Sequence, residues 1–82
     1  MRVGQTSATI LLSEEGLSAL RIMLPDLPDS PLVFLFVQET DDLGLWVRVK
    51  RKDEDHVLLI RWEFILTVDL PAGAVKTVGL KP

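Results

Sequence analysis

Between Leu43 and Leu70 the chain carries a pattern that only a β-hairpin can use. Leu45, Val47 and Val49 alternate with Trp46, Arg48, Lys50 and Lys52. The acidic tip Asp53-Glu54-Asp55 follows, and Val57-Leu58-Leu59-Ile60-Arg61-Trp62 returns. Pairing Lys52 with Asp55 sets Val49 against Leu58, Val47 against Ile60 and Leu45 against Trp62 on one side. The other side then holds Trp46, Arg48, Lys50 and Lys52 against Arg61, Leu59, Val57 and Asp55. A one-residue slip would place Lys50 opposite Leu58 and Val47 opposite Arg61, mixing core with charge. Burial of one face disfavours that slip.

The remainder reads as one helix and a few more strands. Residues 1–12 are either a strand or a flexible lead, with Thr6–Leu12 the extended part and Thr9 and Ile10 supplying β-branched side chains. Ser13 is an N-cap, and Glu14 and Glu15 lie where the helix dipole favours negative charge. Leu17, Leu20 and Leu24 form one apolar stripe, and Pro25 ends the helix, which spans 14–24. Pro25, Pro28 and Pro31 then mark a connector, read as a loop in preference to a stiff polyproline segment.

Leu32-Val33-Phe34-Leu35-Phe36-Val37 does not alternate, so it is a strand that needs cover on both faces. The helix stripe suits one face; the hairpin or a partner chain must supply the other. A bend near residues 62–65 leads to a strand at Leu66–Leu70, a turn at Pro71-Ala72-Gly73 and a weak last strand from Val75 to Leu80. The expected fold is α+β and mostly β. It is one domain over residues 1–82, with one helix towards the N-terminus and a four- to five-stranded antiparallel meander over 32–80, either a curled sheet or a small barrel.

Composition narrows the function classes. At 82 residues the core is small, and such domains draw on disulfides, metals or self-association. The chain has no cysteine and one histidine, which leaves self-association as the expected reinforcement and no cofactor or metal as the expected state. The net charge of −3 opposes a dedicated nucleic-acid binder. The charge is also uneven: residues 1–42 carry two basic and seven acidic side chains, and residues 43–82 carry seven basic and five acidic. The longest apolar run, Leu32 to Val37, is far short of the ~20 residues of a spanning helix, so a cytoplasmic protein without a membrane segment is expected.

Catalytic residue types are sparse. His56 stands beside the acidic tip, where it reads as a solvated turn histidine; a hydrogen-bonded pair with a neighbouring aspartate is the catalytic alternative. Asp53-Glu54-Asp55 and Asp41-Asp42 are better explained as turns than as calcium loops, which need six to eight oxygens. The leading candidate is the hairpin face of Trp46, Arg48, Lys50, Lys52 and Arg61, an aromatic platform among cations. Val57 and Leu59 on the same face favour a protein contact over nucleic acid. In the bland alternative Arg61 stacks on Trp46 and Lys52 pairs with Asp55. The Leu32–Val37 strand is the second candidate, either as a core strand or as an oligomer contact.

The run Val57-Leu58-Leu59-Ile60-Arg61-Trp62-Glu63-Phe64-Ile65-Leu66-Thr67-Val68 resembles the last two strands and intervening tight turn of Sm-like and SH3-like small barrels. A helix ahead of the strands is similar to the Sm-like arrangement. This resemblance implies a barrel and assembly into rings. No RNA-contact residue carries over, because the chain has no asparagine and Arg61-Trp62 is not followed by glycine. A non-enzymatic interaction module that self-associates and shows the Trp46 face to a protein partner is the expected function. An Sm-like nucleic-acid-binding barrel using the same face is the alternative.

Overall fold

The structure is a computed structural model and describes residues 2–76. Its elements are β1 (Arg2–Val3), β2 (Thr6–Leu12), α1 (Glu14–Met23), β3 (Leu32–Thr40), β4 (Gly44–Arg51), β5 (Glu54–Arg61), β6 (Ile65–Asp69) and β7 (Val75–Lys76). Short 3-10 turns, Trp62–Phe64 and Ala72–Ala74, precede β6 and β7. Five antiparallel strands form one sheet in the order β5-β4-β3-β2-β6, and β1 pairs with β7 in a separate two-stranded ribbon. The fold is α+β and mostly β, as expected. Among the described residues β5 and β6 do not pair with each other, so the five-stranded sheet is open. The expected last strand contributes Val75–Lys76; its remainder lies outside the described residues.

Alternation places the core. Ala8, Ile10 and Leu12 of β2, Val33 and Val37 of β3, Leu45, Val47 and Val49 of β4, and Ile60 of β5 all point to one side of the sheet and are buried. Leu17 and Leu20 of α1 join the same cluster. Each buried valine, leucine or isoleucine among them contributes about 1.5–3 kcal/mol by leaving water.

The helix follows β2 instead of preceding the sheet. Ser13 caps it, its Oγ accepting from the Gly16 N–H at 3.0 Å, and Ser13 N–H donates to the Phe64 carbonyl at 2.9 Å. The first turn of α1 is therefore tied to the 3-10 turn before β6. Gly16 lies where the two meet: a Cβ there would stand 2.7 Å from Phe64 Cβ and 2.8 Å from its carbonyl oxygen. The glycine that weakens the helix in isolation thus permits close packing. At the other end Leu24 leaves the helical region (φ −128°, ψ 76°), as the residue before Pro25 must.

The lead reading of Thr6–Leu12 fails: β2 is an interior strand, paired with β3 on one side and β6 on the other. The hairpin register also differs from the sequence expectation, by two residues. Leu45 faces Ile60, Val47 faces Leu58, Val49 faces His56 and Arg51 faces Glu54. The loop is only Lys52-Asp53, and both residues have positive φ, 51° and 65°. That is the geometry of a two-residue turn whose twist matches the flanking strands. A two-residue slip keeps every side chain on its face, so alternation alone does not choose between the registers, and the turn decides.

Candidate functional site

Cross-strand pairing aligns the outward side chains in rows. Ser7, Phe36, Arg48 and Val57 form one row across β2, β3, β4 and β5. Thr9 and Phe34 form the next on β2 and β3, with Asp69 of β6 beyond Thr9. Trp46 lies beside Leu59 on β5 and Glu39 on β3. The two regions singled out in the sequence, the Trp46 hairpin face and the Leu32–Val37 strand, are therefore one surface. β3 is the central strand of five, and its inner face is covered by the core. Its outer face is not: Phe34 is 72% exposed and Leu32 44%, and nearby Val57 is 52% exposed.

The five candidate residues divide. Trp46, Arg48 and Lys50 lie on the outer face as expected. Lys52 does not pair with Asp55; it is the first residue of the turn, while Lys50 faces Asp55. Arg61 faces Gly44, not Trp46, and makes an exposed ion pair with Glu63 at 3.3 Å, a contact worth little. The expected Arg61–Trp46 stack is replaced by an Arg48–Phe36 stack, with the Arg48 Cζ 4.8 Å from the ring centroid. Arg48 also donates to Gln38 Oε1 from Nη2 at 2.6 Å and from Nε at 3.0 Å. Gln38 is the extra residue of a bulge between Val37 and Glu39, an irregularity suited to re-aiming a side chain.

Asp41 organises the turn between β3 and β4. Its Oδ1 accepts from the Leu43 and Gly44 N–H groups at 2.8 and 3.3 Å, and its Oδ2 accepts from Trp46 Nε1 at 2.7 Å. Its carbonyl accepts from Trp62 Nε1 at 2.8 Å. One residue therefore holds both tryptophans, and Trp46 is a fixed part of the surface. The Trp46 indole bond, followed by the Leu43 backbone bond, lowers the Asp41 pKa below its ordinary 3.8. Because the folded value lies below the unfolded one, the charged carboxylate stabilises the fold above about pH 4. That contribution is lost as pH falls through the folded value. Denaturant midpoints measured from pH 6 downward are expected to fall for the wild type below pH ~4, and less steeply for Asp41→Asn. Identical slopes in that window would show that Asp41 does not carry this contribution.

His56 is not a solvated turn residue. It lies on β5 opposite Val49, half-buried, 3.3 Å from the Arg51 Nη2 through its Nδ1. A guanidinium only donates, so a hydrogen bond here needs Nδ1 as its acceptor. The aspartate of the catalytic alternative takes no part in this contact. Among the described residues no group of three or more acidic or histidine side chains is placed to hold a metal ion, and no helix is long and apolar enough to cross a membrane. Sequence reasoning named the hairpin residues but missed that Phe34 and Phe36 complete their surface; the unbroken apolar run of β3 was the signal. Comparison with family models, curated proteins and solved structures finds no match to this chain.

Proposed function

We propose that this chain is a non-enzymatic interaction module whose outer sheet face is covered by a protein partner, with self-association as the state it takes alone. The carrying observation is Phe34, 72% exposed on the central strand of the sheet. A large aromatic there, continuous with Leu32, Phe36, Trp46 and Val57, is the composition of a contact surface more than of a solvated one. The internal bonds of Trp46 and Arg48 support the same reading, since they hold the surface in one shape before any partner arrives.

Light scattering across a concentration series tests it. Wild-type mass is expected to rise with concentration. Phe34→Lys is expected to remain monomeric at the same concentrations, weakening association at least tenfold while its melting temperature holds. A wild type that stays monomeric throughout, or a variant that associates equally well, would overturn the proposal. Salt-sensitive binding of a short oligonucleotide, lost in Arg48→Glu, would support the nucleic-acid-binding barrel instead.

A further inference from the structure

The outer face ends in a fork. β3 and β4 are paired from Thr40–Leu45 to Phe36–Arg48 and then separate. Leu32–Leu35 keep β2 as their neighbour and Val49–Arg51 keep β5, but the two segments do not pair with each other. Each presents a short strand edge to the gap, with alternate N–H and C=O groups that have no ladder partner on that side. A cleft of about 670 Å³ occupies the gap, with Phe34, Leu24 and Leu27 among its apolar lining.

The charge in the fork is one-sided. Arg48, Lys50, Arg51 and Lys52 line it with one lining carboxylate, Asp26, while Asp55 and Glu54 stand opposite Lys50 and Arg51 across the hairpin. Among the described residues the ion pairs are Arg21–Asp29 and Arg61–Glu63, so none of these four cations has a carboxylate within 4.0 Å. Arg51 instead reaches the Met23 carbonyl and His56 Nδ1, both at 3.3 Å, which fixes the wall of the cleft against the end of α1. A basic, apolar-floored slot with free strand edges thus sits on a chain of net charge −3.

We infer that the fork takes an extended acidic segment of a partner protein. The segment adds as a short strand to one open edge, its carboxylates reach the fork cations, and its alternate apolar side chains rest on Phe34. This deepens the interaction reading above and rests on it. The occupant is a different protein, because each acidic run of this chain is already folded into a turn, a strand or the helix and none is a loose extended segment. Residues 39–42 are held in the Asp41 turn, residues 53–55 close the β4–β5 hairpin, and Glu14 and Glu15 lie in the first turn of α1.

The test titrates the full chain with a fluorescein-labelled peptide of alternating glutamate and valine, with the matching lysine–valine peptide as control, and locates binding by backbone amide shifts. The glutamate peptide is expected to bind at least tenfold tighter than the control, to weaken as salt rises, and to shift the amides of Leu32–Leu35 and Val49–Lys52. The double variant Lys50→Gln, Lys52→Gln is expected to lose at least tenfold in affinity with unchanged melting. Equal affinity for both peptides, or no binding of either, would overturn the inference. Shifts confined to Ser7, Val57 and Leu59 would also overturn it while leaving the outer face as a contact surface. Tighter binding of a short oligothymidylate to the same amides would overturn the peptide assignment in favour of nucleic acid.

Discussion

Of Gly16, Gly44 and Gly73, Gly44 is expected to tolerate an added methyl least, so Gly44→Ala is expected to be strongly destabilising. Gly44 opens β4 directly opposite Arg61, buried, with its N–H accepted by Asp41. A Cβ there would overlap the Ile60 carbonyl oxygen and stand 2.8 Å from the Ile60 carbonyl carbon and 2.9 Å from Arg61 Cα. All three are backbone atoms of the neighbouring strand, so no rotamer change relieves the contact. Strand separation or local unpairing must, at a cost of about 3 kcal/mol or more. Set against a total stability of roughly 4–12 kcal/mol for a chain this size, that is a large fraction. The expected drop in melting temperature is about 12 °C or more. Gly73→Ala is the control, since nothing lies within 4 Å of a Cβ at that position, and it is expected to leave the melting temperature unchanged. Equal melting of the two variants would show that β4 and β5 do not approach as described.

Ile10→Ala comes second and tests which side of the sheet is the core. Ile10 has no exposed surface, sits on an interior strand between Val33 and Val68, and is among the largest fully buried side chains. Truncation removes its transfer free energy and leaves a cavity among the core side chains on that face of the sheet. The expected loss is about 2–5 kcal/mol, and Ile10→Val should cost only about 0.5–1.5 kcal/mol. Phe34→Lys removes a larger apolar side chain from the adjacent strand, yet it is expected to cost far less because Phe34 is already mostly in water. Denaturant titration of the three variants reads the contrast. Comparable losses for Ile10→Ala and Phe34→Lys would mean that the outer face is packed in the isolated chain.

The helix was legible nearly to the residue, 14–24 expected and Glu14–Met23 found, because capping serine, apolar stripe and terminating proline are all local signals. The two faces of the hairpin were legible for the same reason, since alternation is local. Its register was not. Lys52-Asp53 adopts a turn with two left-handed residues without the Asn-Gly or Asp-Gly that usually marks one, and aspartate tolerates that region better than most residues. The place of β2 was also hidden. The return of β6 onto it is a long-range pairing, and nothing in Thr6–Leu12 itself distinguishes an interior strand from an ordered tail. The candidate surface was half legible. Trp46, Arg48 and Lys50 follow from alternation within β4, but their junction with Phe36 depends on how β3 and β4 pair across the Gln38 bulge. No spacing in the sequence states that. Arg61 was misplaced for the same reason as the register, since two residues of slip moved it from Trp46 to Gly44.

The central claim, that the outer sheet face is a contact surface, meets its most direct test through the absence of cysteine, which makes any introduced thiol a unique label site. Ser7 is exposed on the outer face opposite Phe36, and Ser18 is exposed on α1. Ser7→Cys and Ser18→Cys, each carrying a nitroxide, would be followed by electron paramagnetic resonance over a protein concentration series. The label at position 7 is expected to lose mobility as concentration rises, while the label at position 18 stays mobile. Equal mobility of the two labels at every concentration would contradict the assignment of the outer face.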